Sequence, residues 1–409
     1  MDGSSSMLGY VSDANSRYVQ TLKLLDETLS LAGKTPVQYY RSGSPIARGD
    51  FRKAQLPAFY NGTNFPDVSV PIQNLVSPPS DRDSLLVIVT DLDQASGDVT
   101  LLTRKIKETY LNSQNPEFAI GILAIKSEFA GTVYVQGQQN LKTFPFPNEE
   151  SNEEFRPFYV IFLGRPQDII TTIQDLKKRE KDLFENSEIA IFSRNNLVQN
   201  TALLDRVVKE EPAKEKAISG KMFFSFNGAE VQAKDERSQF WKIPSTEKVT
   251  IQDSVPVEMS ENTVPIDVNS IDLVKTIEVP NKFTKTFEDS TKVYKDDSAL
   301  RRAIEIAGWN LDTESQNNPR ELNFETTIRP DKFPEPGIYL FSIDIVARDL
   351  QEQPWWQEWN WKVGRDPEND GSKTNNLLPF LRGLKKITTD LMADNPPKIG
   401  RFCYAIEKN

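Results

Sequence analysis

Three runs constrain this chain more than anything else in it: LLVIVT (85–90), FAIGILAI (118–125) and FYVIFLG (158–164), apolar at nearly every position. A strand with one face in water alternates apolar and polar residues, so a continuous apolar run calls for cover on both faces, as in the parallel sheets of α/β folds. DVTLLTRKIKETYL, between the first two runs, has a helical period, and PQDIITTIQDLKKREKDLF follows the third with Pro166 near its first turn. Upstream, SRYVQTLKLLDETLSL places Val19, Leu22, Leu25 and Leu29 at helical spacing and stops before Gly33. VQYYR reads as a short strand, DFRKAQLPAFY as a helix opening on Asp50, and SEIAIFS as an edge or linker strand. The expected fold of residues 1–204 is α/β, a mostly parallel sheet with helices on both faces and its functional loops at the carboxyl ends of the strands.

Beyond residue 204 the texture changes. KEEPAKEKAISGK marks 205–220 as a charged connector, and 221–374 carries short alternating stretches (KMFFSF, EKVTIQD, GIYLFSIDIVA) separated by Pro, Asn and Gly, which predicts an all-β, sandwich-like domain. The remainder, 375–409, reads as a helix with Leu377, Phe380, Leu381, Leu384, Ile387 and Leu391 on one face, followed by the strand-like RFCYAI. QEQPWWQEWNW concentrates four tryptophans, for which core packing is the expected role.

Several function classes fall away. With 409 residues, a net charge of −10 and basic runs interleaved with acids, the chain lacks the clustered Lys and Arg that tracks a nucleic-acid backbone. It has no histidine, which removes Ser-His-Asp and Cys-His catalysis and histidine-ligated metals, and no glycine-rich phosphate loop ending in Lys-Ser/Thr. Its single cysteine, Cys403, sits in an apolar run and cannot pair within the chain, which favours a reducing, cytoplasmic setting. No secretory signal is evident before residue 30, and no segment approaches the roughly 20 apolar residues that span a bilayer.

What remains is oxygen chemistry. The chain opens MDGSSSM, with Asp2, Ser4 and Ser6 at every second position; Thr63 follows in NGTN, and Asp91 closes the first apolar run in TDLD. Carboxylates and hydroxyls without His or Cys suit a hard cation such as Mg²⁺, with Mn²⁺ or Ca²⁺ as alternatives. In order and spacing, DGSSSM, GTN and TDL after a buried strand resemble the von Willebrand factor A (vWA) family and its metal-ion-dependent adhesion site, over about residues 1–185. The resemblance implies a Rossmann-like fold, metal binding through Ser4 and Ser6, Asp2 and Asp91 acting directly or through water, and Thr63 joining when a partner carboxylate enters. It also implies a protein partner bearing Asp or Glu, and permits an AAA+ ATPase or a multi-protein machine as its setting.

Two departures stand out. In the family the serine motif follows a buried central strand, whereas here Met1 alone precedes Asp2, so either the natural chain extends upstream or another segment, such as RFCYAI, fills the sheet. Leu92 and Asp93 stand where many members have TDG. The chain thus reads as a non-enzymatic, Mg²⁺-dependent protein-binding module. The alternatives are an assembly component with no functional metal, and a haloacid-dehalogenase-like phosphatase using Asp91 and Asp93. The single residues also have plainer roles open to them: Ser4 and Ser6 as a helix cap, Thr63 as a turn hydroxyl, Asp91 as a cap after a strand.

Overall fold

The structure is a computed structural model that describes residues 1–31, 36–66, 71–92, 99–136, 141–148, 154–198, 223–226, 229–232, 241–243, 248–260, 262–280, 291–294, 300, 302–311, 320–333, 337–362 and 369–408. The connector at 205–220 and Asp93 lie outside these residues. The chain forms two compact units: Met1–Leu197 with Ser260–Pro265 and Leu350–Asn395, and Val198–Met259 with Ile266–Asp349 and Pro396–Asn409. The grouping is not the linear division at 204, 220 and 374, because the tryptophan segment and the following helix belong to the first unit and the last strand to the second.

In the first unit, a 3₁₀ turn at Ser5–Val11 leads into helix α1 (Arg17–Leu31), the small β1 (Tyr39–Arg41) and β2 (Ser44–Ile46) pair, and α2 (Arg48–Arg52). The apolar runs form β3 (Leu86–Thr90), β4 (Ala119–Glu128) and β7 (Phe155–Gly164), with α3 (Val99–Thr109) after β3 and α4 (Pro166–Arg179) leading to β8 (Glu188–Phe192). Between β4 and β7 the described residues form no helix but a second hairpin, β5 (Gly131–Gln136) and β6 (Leu141–Phe146). The main sheet has the order β3-β7-β4-β8, and every neighbouring pair in it is antiparallel.

The expectation of a mostly parallel sheet is therefore corrected, although cover on both faces is found. Ala119, Leu123 and Ile125 of β4 share one buried cluster with Phe158, Val160 and Phe162 of β7 and with residues of α1 and α4, such as Leu22 and Ile169. The intervening Ile120, Ile122, Tyr159 and Ile161 are equally buried but lie outside that cluster, as strand alternation requires. Close approach is built in: a Cβ on Gly121 would lie 2.5 Å from Ile169 Cγ2.

The opposite face is covered by α3 and by two late elements, α5 (Trp355–Glu358) and α6 (Leu377–Asp394). A Cβ on Gly383 of α6 would lie 2.9 Å from Thr103 Cγ2 of α3, and the Trp356 ring lies 5.6 Å from that of Phe192 in β8. Trp355, Trp356 and Trp359 are buried and Trp361 is half-buried against the core, so the tryptophans pack in the α/β unit rather than in a sandwich. Leu377, Phe380, Leu381, Leu384 and Ile387 are buried as their spacing predicts, and Leu391 is half-buried. Burying such side chains contributes roughly 1.5–3 kcal/mol each.

The second unit is β-rich. It holds the hairpin of β9 (Phe223–Phe226) and β10 (Ala229–Gln232), and β11 (Trp241–Ile243), β12 (Val249–Val257), β13 (Asp272–Pro280), β14 (Thr291–Tyr294), β15 (Ile304–Leu311), β16 (Arg320–Ile328), β17 (Gly337–Val346) and β18 (Lys398–Lys408). A five-stranded sheet has the order β11-β18-β17-β13-β14, and a three-stranded one β12-β16-β15. RFCYAI lies in β18, paired with β17 and, in parallel, with β11. It does not fill the sheet of the first unit. Among the described residues no helix is long and apolar enough to cross a membrane.

Candidate metal centre

Met1 and Asp2 run between β1 and β3. Met1 N donates to Tyr40 O at 2.8 Å, Ser42 N to Met1 O at 2.9 Å, and Asp2 N to Val89 O at 2.9 Å. These bonds carry the Asp2 carboxylate to the end of β3, where it is buried and both oxygens are engaged: Oδ2 accepts from Thr90 Oγ1 at 2.9 Å and Oδ1 from Ser4 N at 3.0 Å. Gly3 allows the next step, since a Cβ there would lie 2.6 Å from Arg41 Cγ.

Ser4 stands at the N-cap of the 3₁₀ turn but its hydroxyl makes no capping bond. Instead Ser4 Oγ and Ser6 Oγ lie 2.9 Å apart, both half-buried. An octahedral Mg²⁺ shell with oxygens at about 2.1 Å places neighbouring ligands about 3 Å apart. The two hydroxyls form a hydrogen bond with each other at this distance, which is also compatible with one edge of such a shell, and oxygen donors of this kind suit a hard cation. The turn behind it is pinned from beyond β4: Ala130 N donates to Gly9 O at 3.0 Å, and a Cβ on Gly9 would strike the Phe129 ring.

Asp91 follows Thr90 at the same rim and is 1% exposed. Leu92, in the position where the vWA pattern has glycine, adopts φ +60°, the left-handed region that a bulky side chain ordinarily avoids. Its N–H donates to Thr90 Oγ1 at 3.2 Å, so one hydroxyl links the strained turn to Asp2. Arg156, at the start of β7, faces Asp91 with Nη2 3.7 Å from Oδ2.

Thr63 is placed less tightly. It is exposed in a loop closed by Asn64 N donating to Ala58 O at 3.0 Å, with Gly62 at φ +81° and Thr63 N donating to Asn61 Oδ1 at 3.1 Å. Among the described residues the Thr63 hydroxyl has no hydrogen bond to the serines or to either aspartate. The loop as a whole is joined to the serine segment by the buried Arg41, which donates to Gly3 O at 2.8 Å, Phe59 O at 3.1 Å and Pro66 O at 3.1 Å, while its guanidinium lies against the Phe59 and Phe65 rings.

Beneath the site, Tyr18 and Tyr60 share a hydrogen bond of 2.8 Å, and Tyr60 also donates to Ala54 O at 2.9 Å. Burial pushes both hydroxyls well above the ordinary tyrosine value, with the Asp2 charge adding to the effect, so both stay protonated. Glu128, the last residue of β4, caps α1, its Oε2 accepting from Arg17 N at 2.8 Å.

Sequence reasoning missed Arg41, Arg156 and Ser42, whose hydroxyl accepts from Gly3 N at 3.0 Å. No local motif marks them; their roles depend on which strand lies beside which. Among the described residues, no group of three or more His, Cys, Asp or Glu side chains is placed to hold a metal ion, so a cation here would depend on the serine hydroxyls. No protein-family model, curated protein or solved structure matches the chain.

Proposed function

We infer that the chain is a divalent-cation-dependent protein-binding module, with Mg²⁺ held by the hydroxyls of Ser4 and Ser6 and a carboxylate from a protein partner completing its shell. The observation that carries this reading is the 2.9 Å serine pair beside a buried carboxylate that is itself fixed by Thr90. Asp2, with both oxygens already engaged, would act from behind, orienting Ser4 and supplying negative charge. Asp91 would supply a second charge, and Thr63 would approach by movement of its loop. A cation in this place would offset the repulsion between an acidic chain and an acidic ligand.

Titration of the full chain with Mn²⁺, followed by electron paramagnetic resonance of the free ion, tests this reading. Saturable binding that is abolished by Ser4→Ala with Ser6→Ala, and a bound-ion spectrum altered by acetate as a carboxylate probe, are expected. Equal Mn²⁺ binding by the unaltered and doubly substituted chains would end it. The reading as an assembly component without functional metal draws on one observation, the Asp91–Arg156 pair, which balances the buried acid without an ion.

A further inference from the structure

The reversed direction of β7 brings to this rim a group that a parallel neighbour would not. Thr90 of β3 pairs with Tyr159 of β7, so Asp91 falls opposite Phe158 and diagonal to Arg156. By strand alternation Asp91 and Arg156 share the face of Val89 and Phe158, both of which belong to the cluster under α1. Diagonal cross-strand positions are within reach of long side chains. The two side chains are 1% and 4% exposed, respectively. Arg156 is also held without Asp91: Nη1 donates to Gly371 O at 3.1 Å, and the guanidinium lies 5.6 Å from the centre of the Phe129 ring.

We propose that Arg156 is the built-in counter-charge of Asp91 and competes with the divalent cation for that carboxylate, so that it sets the cation affinity of the serine site. The proposal rests on the metal reading above and specifies how that site is regulated. A carboxylate buried this deeply needs a positive charge beside it when no ion is bound. An arriving divalent cation meets that same fixed charge, and repulsion between buried charges is little screened by salt. Both effects lower affinity, and the site fills only where the divalent ion is plentiful. When it fills, Gly371 O and Phe129 retain the guanidinium that Asp91 gives up.

The test compares the unaltered full chain, Arg156→Gln, Arg156→Lys and the Ser4→Ala/Ser6→Ala double variant in Mn²⁺ titrations, with thermal melting in chelator and in excess Mg²⁺ as a second readout. Arg156→Gln is expected to bind Mn²⁺ at least tenfold more tightly than the unaltered chain, to melt lower in chelator, and to recover in Mg²⁺. Arg156→Lys, which keeps the charge, is expected to stay within threefold. If Arg156→Gln binds no more tightly while the serine variant loses binding, the competition is refuted and the metal site stands. If no chain shows serine-dependent binding, the metal reading falls and the competition with it. A tenfold gain in Arg156→Lys as well, or an Arg156→Gln chain that stays unfolded even in Mg²⁺, would also overturn the proposal, because charge would then not be what the ion replaces.

Discussion

Two buried aspartates in the first unit are each matched with arginine, and they are built in opposite ways. Asp26 on α1 is 6% exposed and receives Arg48 Nε at 2.9 Å, Arg52 Nε at 3.2 Å and the Tyr39 hydroxyl at 2.6 Å, with the two arginine side chains 45% and 59% exposed. Asp91 is 1% exposed and its arginine is 4% exposed, at 3.7 Å. The first acid is tied by short bonds to groups whose charges water also stabilises. The second and its partner have both left water, so neither can lose the other cheaply. The first arrangement is a surface knot that fastens α2 and β1 to α1; the second is a stored charge balance at a rim.

The largest effect that tests this contrast comes from breaking the deeper pair. Asp91→Ala, measured by urea unfolding in chelator, is expected to cost about 3–5 kcal/mol, and Asp91→Leu combined with Arg156→Met to recover most of that loss. A loss for Asp91→Ala no larger than the about 1.5–3 kcal/mol expected of Asp26→Asn would erase the contrast between the two acids. Asp26→Asn comes next, at about 1.5–3 kcal/mol, since it weakens hydrogen bonds to charged groups.

That second effect carries a pH signature. Burial opposes ionisation of Asp26, but the hydrogen bonds from Arg48, Tyr39 and Arg52 outweigh it and hold the carboxyl below its ordinary 3.8. A carboxyl with a depressed folded value stabilises the fold above its unfolded value, and that contribution is lost as the pH falls from 3.8 through the folded value. The gap between the unaltered chain and Asp26→Asn should therefore be constant near neutrality and close over that acidic window. The smallest effect is expected from Arg48→Ala, because Arg52 and Tyr39 still serve Asp26 and the lost side chain was half in water; a loss as large as that of Asp26→Asn would show the knot to be a single-partner bond.

Some of the local geometry of the candidate site is legible along the chain. DGSSSM leads into a turn and then a helix, the hydroxyls of Ser4 and Ser6 meet, and Asp2 and Asp91 flank the Thr90 end of one strand. Alternation in a short segment places such groups by local geometry alone. The sequence determines the place of Thr63 less, since NGTN specifies a turn but not how far that turn lies from the serines. Leu92 at φ +60° shows a backbone demand that TDL by itself hid, because leucine gives no sign of the left-handed region as glycine would.

Burial on both faces of β3, β4 and β7 was a property of their composition, since a run without polar residues must be covered wherever it lies. Direction was not, because apolarity reads the same along a strand in either sense. The signal lay between the runs: no helical period separates FAIGILAI from FYVIFLG, and a parallel return ordinarily needs a crossover helix whereas an antiparallel one does not. Only the tertiary structure turned β7 against β3, drew a helix from residues 377–394 onto the open face, sent RFCYAI to the other unit, and set Arg156 beside Asp91. Those outcomes depend on which distant segments bury one another's surface, and that is a property of the packed whole.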